Sequence, residues 1–76
     1  MTAKAFVLIE TEVGKNAEVV QALVKLEGMK SVNAVMGPYD TIAIVEAGDL
    51  SQIGDIVTAK IHHIAGVCRT VTCPVL

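Results

Sequence analysis

Aromatic residues are almost missing from this 76-residue sequence, which has no tryptophan and only Phe6 and Tyr39 as phenylalanine and tyrosine. A stacking platform for single-stranded nucleic acid needs more rings than that. Basic residues are scarce as well, 6 Lys and Arg against 8 Asp and Glu, for a net charge of −2. Duplex DNA binding as a primary task requires a basic face that displaces counterions, so composition argues against it. Long hydrophobic runs are also lacking. The best candidates, Ala5–Ile9 and Thr41–Val45, are strand-sized and fall well short of the ~20 residues that span a bilayer. No charged region followed by an apolar stretch and a cleavage site opens the chain, so a cytoplasmic location is expected by default.

Chemical motifs are equally sparse. The sequence has no Gly-x-Ser-x-Gly, no phosphate-cradling glycine loop and no Cys-x-x-Cys. Its two cysteines, Cys68 and Cys73, fall on one expected strand and point to opposite faces. They cannot bond to each other without breaking that strand. His62 and His63 are adjacent on an expected helix, about 100° apart around its axis. Metal ligands on a helix sit three or four residues apart, so the pair reads as solvated histidines near a helix end, where positive charge suits the dipole. No catalytic residue, metal or cofactor is expected.

What the chain has in abundance is apolar material. Hydrophobic residues make up 53% and the mean hydropathy is +0.60. One domain this short buries only a modest fraction of its surface. The surplus points to self-association.

Hydrophobic periodicity and turn residues divide the chain into elements. Ala3–Thr11 reads as a buried strand, broken by Gly14. Asn16 is a suitable cap for a helix running to about Glu27, with Val20, Leu23 and Val24 on one face. Gly28 sits where a helix-ending glycine belongs. Ser31–Met36 is a second strand, and Gly37-Pro38-Tyr39-Asp40 a turn. Thr41–Ala47 is a third strand. Asp49 and Gln52 resemble a capping box at the start of a second helix, which runs to about His63. Its apolar positions Ile53, Ile56, Val57, Ile61 and Ile64 follow helical spacing. Gly66 marks its exit, and Val67–Pro74 is the last strand.

The order β-α-β-β-α-β defines an α+β, ferredoxin-like split βαβ fold, with halves at residues 1–38 and 39–76 forming one domain. Right-handed crossovers put the first and third strands in the middle of the sheet and the second and fourth at its edges. Neither central strand alternates apolar with polar. Ala5, Val7 and Ile9 face one way and Phe6 and Leu8 the other. Ala43 and Val45 likewise stand opposite Ile42 and Ile44. Two helices cover one face only. A second copy of the same sheet is the simplest cover for the other.

The same topology gathers the Gly37–Asp40 turn, the loop after the first strand and the start of the last strand at one end. Asp40 supplies a negative charge there. Gly37 can offer a backbone amide, and Thr70 and Thr72 share a strand face and offer hydroxyls. That set suits a small zwitterion, with amides for a carboxylate and Asp40 for an ammonium. A plain β-turn beside an ordinary threonine-bearing strand would look the same.

Two segments resemble a known family. Val35-Met36-Gly37-Pro38-Tyr39-Asp40-Thr41-Ile42-Ala43 is similar to the Gly-x-x-Asp hairpin of the Lrp/AsnC effector domain, also called the RAM domain. Ile64-Ala65-Gly66-Val67-Cys68-Arg69-Thr70-Val71-Thr72 resembles that family's Gly-Val-x-x-Thr-x-Thr ending. The resemblance covers essentially the whole chain. It implies a dimer with facing sheets, assembled further into octamers, decamers or similar rings. It also implies an amino acid or related effector bound between subunits near the hairpin, with Gly37, Tyr39, Asp40, Thr70 and Thr72 at the site. Full-length members carry an N-terminal helix-turn-helix domain, whereas this sequence begins directly with the first strand, so direct DNA binding is not expected. Ligand sensing, assembly, or co-assembly with a full-length regulator remains. Two alternatives stand beside this reading: a purely structural oligomerisation module without ligand, and a small dimeric α+β barrel enzyme such as a ferredoxin-like monooxygenase or isomerase. The mainly aliphatic sheet argues against the second.

Overall fold

The computed structural model describes residues 2–76, and the order of elements follows the expected one. Strand β1 spans Ala3–Thr11, helix α1 Asn16–Leu23, β2 Met29–Ala34, β3 Thr41–Ala47, helix α2 Leu50–Ile56 and β4 Val67–Pro74. A π-helical turn, Val57–Ile61, continues α2. The four strands form one antiparallel sheet in the order β2-β3-β1-β4. The two most apolar strands are thus central, as their composition requires.

Both helices lie on one face of the sheet. The core between them is Ala5, Val7 and Ile9 of β1, Ala43 and Val45 of β3, Val19 and Leu23 of α1, and Ile53, Val57 and Ile61 from α2 and its π turn. Each fully buried Val, Leu or Ile side chain here contributes about 1.5–3 kcal/mol. Cross-strand pairs set the other face. Phe6 stands beside Ile44, Leu8 beside Ile42 and Val71, and Phe6 also beside Cys73. Among the described residues no helix covers them. Phe6 is 41% exposed, and Leu8, Ile42 and Ile44 are only half-buried.

The first helix differs from expectation in three ways. Its inward face is Val19 and Leu23, while Val20 is half-buried and Val24 exposed. Asn16 does not cap it: the cap position is Lys15, without a side-chain cap bond, and Asn16 Oδ1 instead accepts the hydroxyl of buried Thr41. The helix ends at Leu23 rather than Glu27. Beyond it the bonding tightens to the three-residue spacing of Lys25 N–H to Ala22 O and Leu26 N–H to Leu23 O. The second strand correspondingly starts at Met29 and ends at Ala34, two residues earlier than the Ser31–Met36 reading.

The second helix begins as expected. Asp49 Oδ1 accepts the Gln52 amide at 2.8 Å, and Gln52 Oε1 accepts the Gly48 amide at 2.9 Å. Its apolar stripe then meets a geometric problem. Four residues in an α-helix overshoot a full turn by about 40°, so positions 53, 57 and 61 would drift off the core. The wider π turn offsets that drift, and Ile53, Val57 and Ile61 all stay buried.

Gly66 carries a tight approach between layers. Its φ is +98°, and a Cβ there would lie 2.9 Å from the Lys15 Cβ and 3.2 Å from a Val19 methyl. Gly54 in α2 has nothing within 4 Å of such a Cβ. Gly66→Ala is expected to destabilise the protein by about 1–3 kcal/mol. Gly54→Ala is expected to stabilise it by about 0.8–1 kcal/mol, the helix-propensity difference. Urea denaturation of both variants checks the opposite signs.

Candidate functional site

Hydrogen bonds join three loops at the end of the sheet where β1 and β2 finish and β3 and β4 begin. The Asp40 amide donates to the Ile9 carbonyl at 3.0 Å, and the Asp40 carbonyl accepts the Val35 amide at 2.9 Å. Asp40 Oδ2 accepts the Thr11 amide at 2.8 Å. The Glu12 amide donates to the Gly66 carbonyl at 2.8 Å, tying the loop after β1 to the entrance of β4. The register gives the same picture. Ile9 lies opposite Thr41 on one side and Thr70 on the other, so Asp40 and Thr70 flank the end of β1.

Each residue singled out in the sequence has a definite place there. Asp40 is half-buried and holds the hairpin to β1 with both its backbone and its side chain. Tyr39 is half-buried, and its hydroxyl accepts Arg69 Nη2 at a long 3.5 Å. Gly37 is exposed near the tip of the loop with φ +138°, beside a fully exposed Met36. Thr70 and Thr72 share the helix-side face of β4, opposite Ile9 and Val7. Thr70 therefore joins the cluster, whereas Thr72 lies one cross-strand pair further along that face.

The sequence reading did not assign His62 or Arg69 to the site. His62, expected as a solvated helix-end residue, is exposed, and its Nε2 also lies 2.6 Å from the Thr70 hydroxyl. His62, Val67, Cys68, Arg69 and Thr70 line a concavity of about 430 Å3. That volume falls in the usual range for small-molecule sites. A second concavity, of about 410 Å3, lies at the opposite end between α2 and the loop after α1 and contains none of the predicted residues. The π turn was the missing signal. The His62 amide donates to the Val57 carbonyl, five residues back, at 3.0 Å. The spacing of 53, 57 and 61 is the one trace of it in the sequence, and together with Ile56 and Ile64 it also fits a broad α-helical stripe.

A register shift between Glu10 and Thr11 leaves Cys68 as the extra, unpaired residue of β4. Its thiol is pushed above the ordinary cysteine range by desolvation and by the carboxylates of Glu12, Glu10 and Asp40. It stays protonated at neutral pH and is a poor nucleophile. Cys68 and Cys73 are both free and exposed. Among the described residues no group of three or more His, Cys, Asp or Glu side chains could hold a metal ion. No helix among them is long and apolar enough to cross a membrane.

An α+β domain with a Gly-x-x-Asp hairpin pinned beside a polar concavity is the class this geometry defines. Residues 4–76 match the family model described as the Lrp/AsnC ligand binding domain, and the chain belongs to that family. An uncharacterized HTH-type transcriptional regulator of Pyrococcus furiosus is 35% identical over 71 residues, 90% of this chain and 47% of that protein. The chain thus spans about half the length of the curated relatives it matches. The protein TTHA0845 of Thermus thermophilus is similar over 97% of this chain and 92% of its own, at 34% identity and a TM-score of 0.93. The same fold recurs in the transcriptional regulator NMB0573 of Neisseria meningitidis, solved as an L-Met complex. That match has 20% identity and a TM-score of 0.85, over 97% of this chain and 50% of the other.

The Asp40 carboxylate is a tether before it is anything else. Asp40→Ala leaves the amide of buried Thr11 without its acceptor and is expected to cost about 1–3 kcal/mol. Asp40→Asn keeps an acceptor oxygen and is expected to cost less. Thermal unfolding of the two variants in parallel gives the ranking.

Proposed function

We propose that this chain, as a single 1–76 domain, is an amino-acid effector-binding and oligomerisation module of the transcription-regulator type and not an enzyme. Its ligand site comprises Gly37, Tyr39, Asp40, Thr70 and Thr72. The observation that carries the reading is the convergence of Asp40 and Thr70 on the end of β1, beside a concavity of ligand size, in a chain of a ligand-binding family. The carboxylate of Asp40 has one oxygen on the Thr11 amide and lone pairs to spare for an ammonium. Hairpin amides around Gly37 take the effector's carboxylate, and the threonine hydroxyls complete its shell. An amino acid is bound in the related Neisseria regulator, which supports the ligand class.

The second half of the proposal is assembly. Phe6, Leu8, Ile42, Ile44 and Val71 form an apolar sheet face with no cover of its own. A second copy supplies that cover, with the two sheets facing, and the dimers associate further into rings such as octamers or decamers. The module works in the cytoplasm without binding DNA itself, by co-assembling with a full-length regulator of its family. No cofactor or metal takes part.

One observation favours a second reading, a structural module with no ligand. The tether from Asp40 to Thr11 explains the Asp on folding grounds alone. Asp40→Asn separates the two readings, because it retains an acceptor for the Thr11 amide and removes the charge. Differential scanning fluorimetry against the twenty amino acids is expected to show a rise in melting temperature for a few of them. A hundredfold excess over Kd adds ~2.7 kcal/mol to the folded assembly. Asp40→Asn is expected to abolish that rise while staying folded. No rise with any amino acid, or the same rise in Asp40→Asn, contradicts the effector site.

A further inference from the structure

We propose that the uncovered sheet face takes a second copy in one alignment, with β1 antiparallel to the partner's β1, so that Lys4 of each chain meets Glu10 of the other. The inference rests on the sheet-facing assembly proposed above and adds how the copies are aligned and which charges align them.

The face is apolar in the middle and charged at its ends. Alternation along β1 sets Lys4, Phe6, Leu8 and Glu10 on the side away from the helices, because Ala5, Val7 and Ile9 are fully buried beneath them. Lys4 lies opposite Glu46 of β3, and Lys30 of β2 reaches Glu46 at 4.0 Å. Two ammonium groups against one carboxylate leave that end positive. At the other end Glu10 lies opposite Arg69. The carboxylates of Glu12, Glu10 and Asp40 all act on the Cys68 thiol there, so three acids stand against one guanidinium. That end is negative.

A two-fold pair is self-complementary: where one residue meets a second, the second meets the first. For sheets packed with their strands aligned, the axis runs either along the strands or across them. An axis along the strands lays positive end on positive end and negative on negative. It also carries β4 over β2, which puts Val71 on the polar Asn33 and Cys73 on Ser31. An axis across the strands, passing between Phe6 and Leu8, reverses the rows instead. Lys4 then meets Glu10, Phe6 meets Leu8, and Ile44 meets Ile42. Val71 meets Cys73, and Ser31 meets Asn33. Glu46 comes toward the acidic end as well, with Lys30 beside it to offset the repulsion. Apolar groups fall on apolar groups, polar on polar, and each positive end on a negative one. A crossing of about 90° would carry both charged ends out over the edge strands, without a counter-charge.

Charge reversal in the full chain, read by sedimentation velocity, tests the alignment. The two-fold doubles every change, so Lys4→Glu and Glu10→Lys are each expected to weaken the assembly about tenfold. The double variant, Lys4→Glu with Glu10→Lys, is expected to restore it. The sharpest arm is an equimolar mixture of the two single variants, where every reversed end finds an opposite charge. Native mass spectrometry is expected to show assemblies of one-to-one composition in excess of the statistical share. The differences shrink in about 1 M salt, where the Debye length is about 3 Å. Lys4→Gln and Glu10→Gln remove charge without reversing it and are expected to weaken assembly about threefold each. They carry the test where circular dichroism shows a reversal to be unfolded. Weakening by Lys4→Glu but not by Glu10→Lys, with no excess of mixed assemblies, overturns the alignment in favour of an axis along the strands. An assembly that neither reversal changes overturns it too, and both results leave the sheet-facing dimer standing. A wild-type chain that is monomeric at micromolar concentration overturns this proposal together with the assembly it rests on.

Discussion

Everything in this fold depends on a sheet that is apolar on both sides and helix-covered on only one. The helix side is settled within the chain: Ala5, Val7, Ile9, Ala43 and Val45 are fully buried beneath α1 and α2. The other side places Phe6, Leu8, Ile42, Ile44 and Val71 side by side through the strand register. A chain of 76 residues has too little core to leave such a face in water without cost. The proposed facing of two sheets turns that cost into stability, and it makes the assembly rather than the single chain the folded unit.

The site is a consequence of the same topology. Because β1 and β3 are central, their neighbours bring the β2–β3 hairpin and the start of β4 to one end, on either side of β1. Asp40 then finds the Thr11 amide, and Thr70 finds Ile9. The tether makes the hairpin a fixed part of the scaffold, so the groups assigned to the proposed effector site are held in place by the fold itself. The π turn links core to site in a similar way. It is required by the packing of Val57 and Ile61, and it carries His62 to Thr70.

Much of this was legible in the sequence. Strands β1, β3 and β4 have the bounds expected, because dense β-branched and aliphatic runs flanked by glycine or aspartate have no good alternative reading. The cap at Asp49 was equally plain, since Asp with Gln three residues on has a specific local partner. What failed did so where tertiary contacts override local preference. Asn16 is a good cap by itself, yet the buried Thr41 hydroxyl takes its side chain. The face of α1 shifts by one residue to Val19 and Leu23, because the sheet decides which side of a short helix is inside. At the site, Gly37, Tyr39, Asp40 and Thr70 could be grouped from topology. His62 and Arg69 could not, because the apolar positions around the π turn also fit an ordinary α-helical stripe and the Arg69–Tyr39 contact joins residues 30 apart.

Sedimentation velocity of the wild-type chain, from micromolar concentration downward, tests the dependence on a covered second face most directly. An assembly with an even number of chains, a multiple of the 8.0 kDa protomer that persists at micromolar concentration, is the predicted result. A folded species sedimenting as a single 8.0 kDa chain throughout would contradict it. It would mean that this sheet tolerates Phe6, Leu8, Ile42 and Ile44 in water.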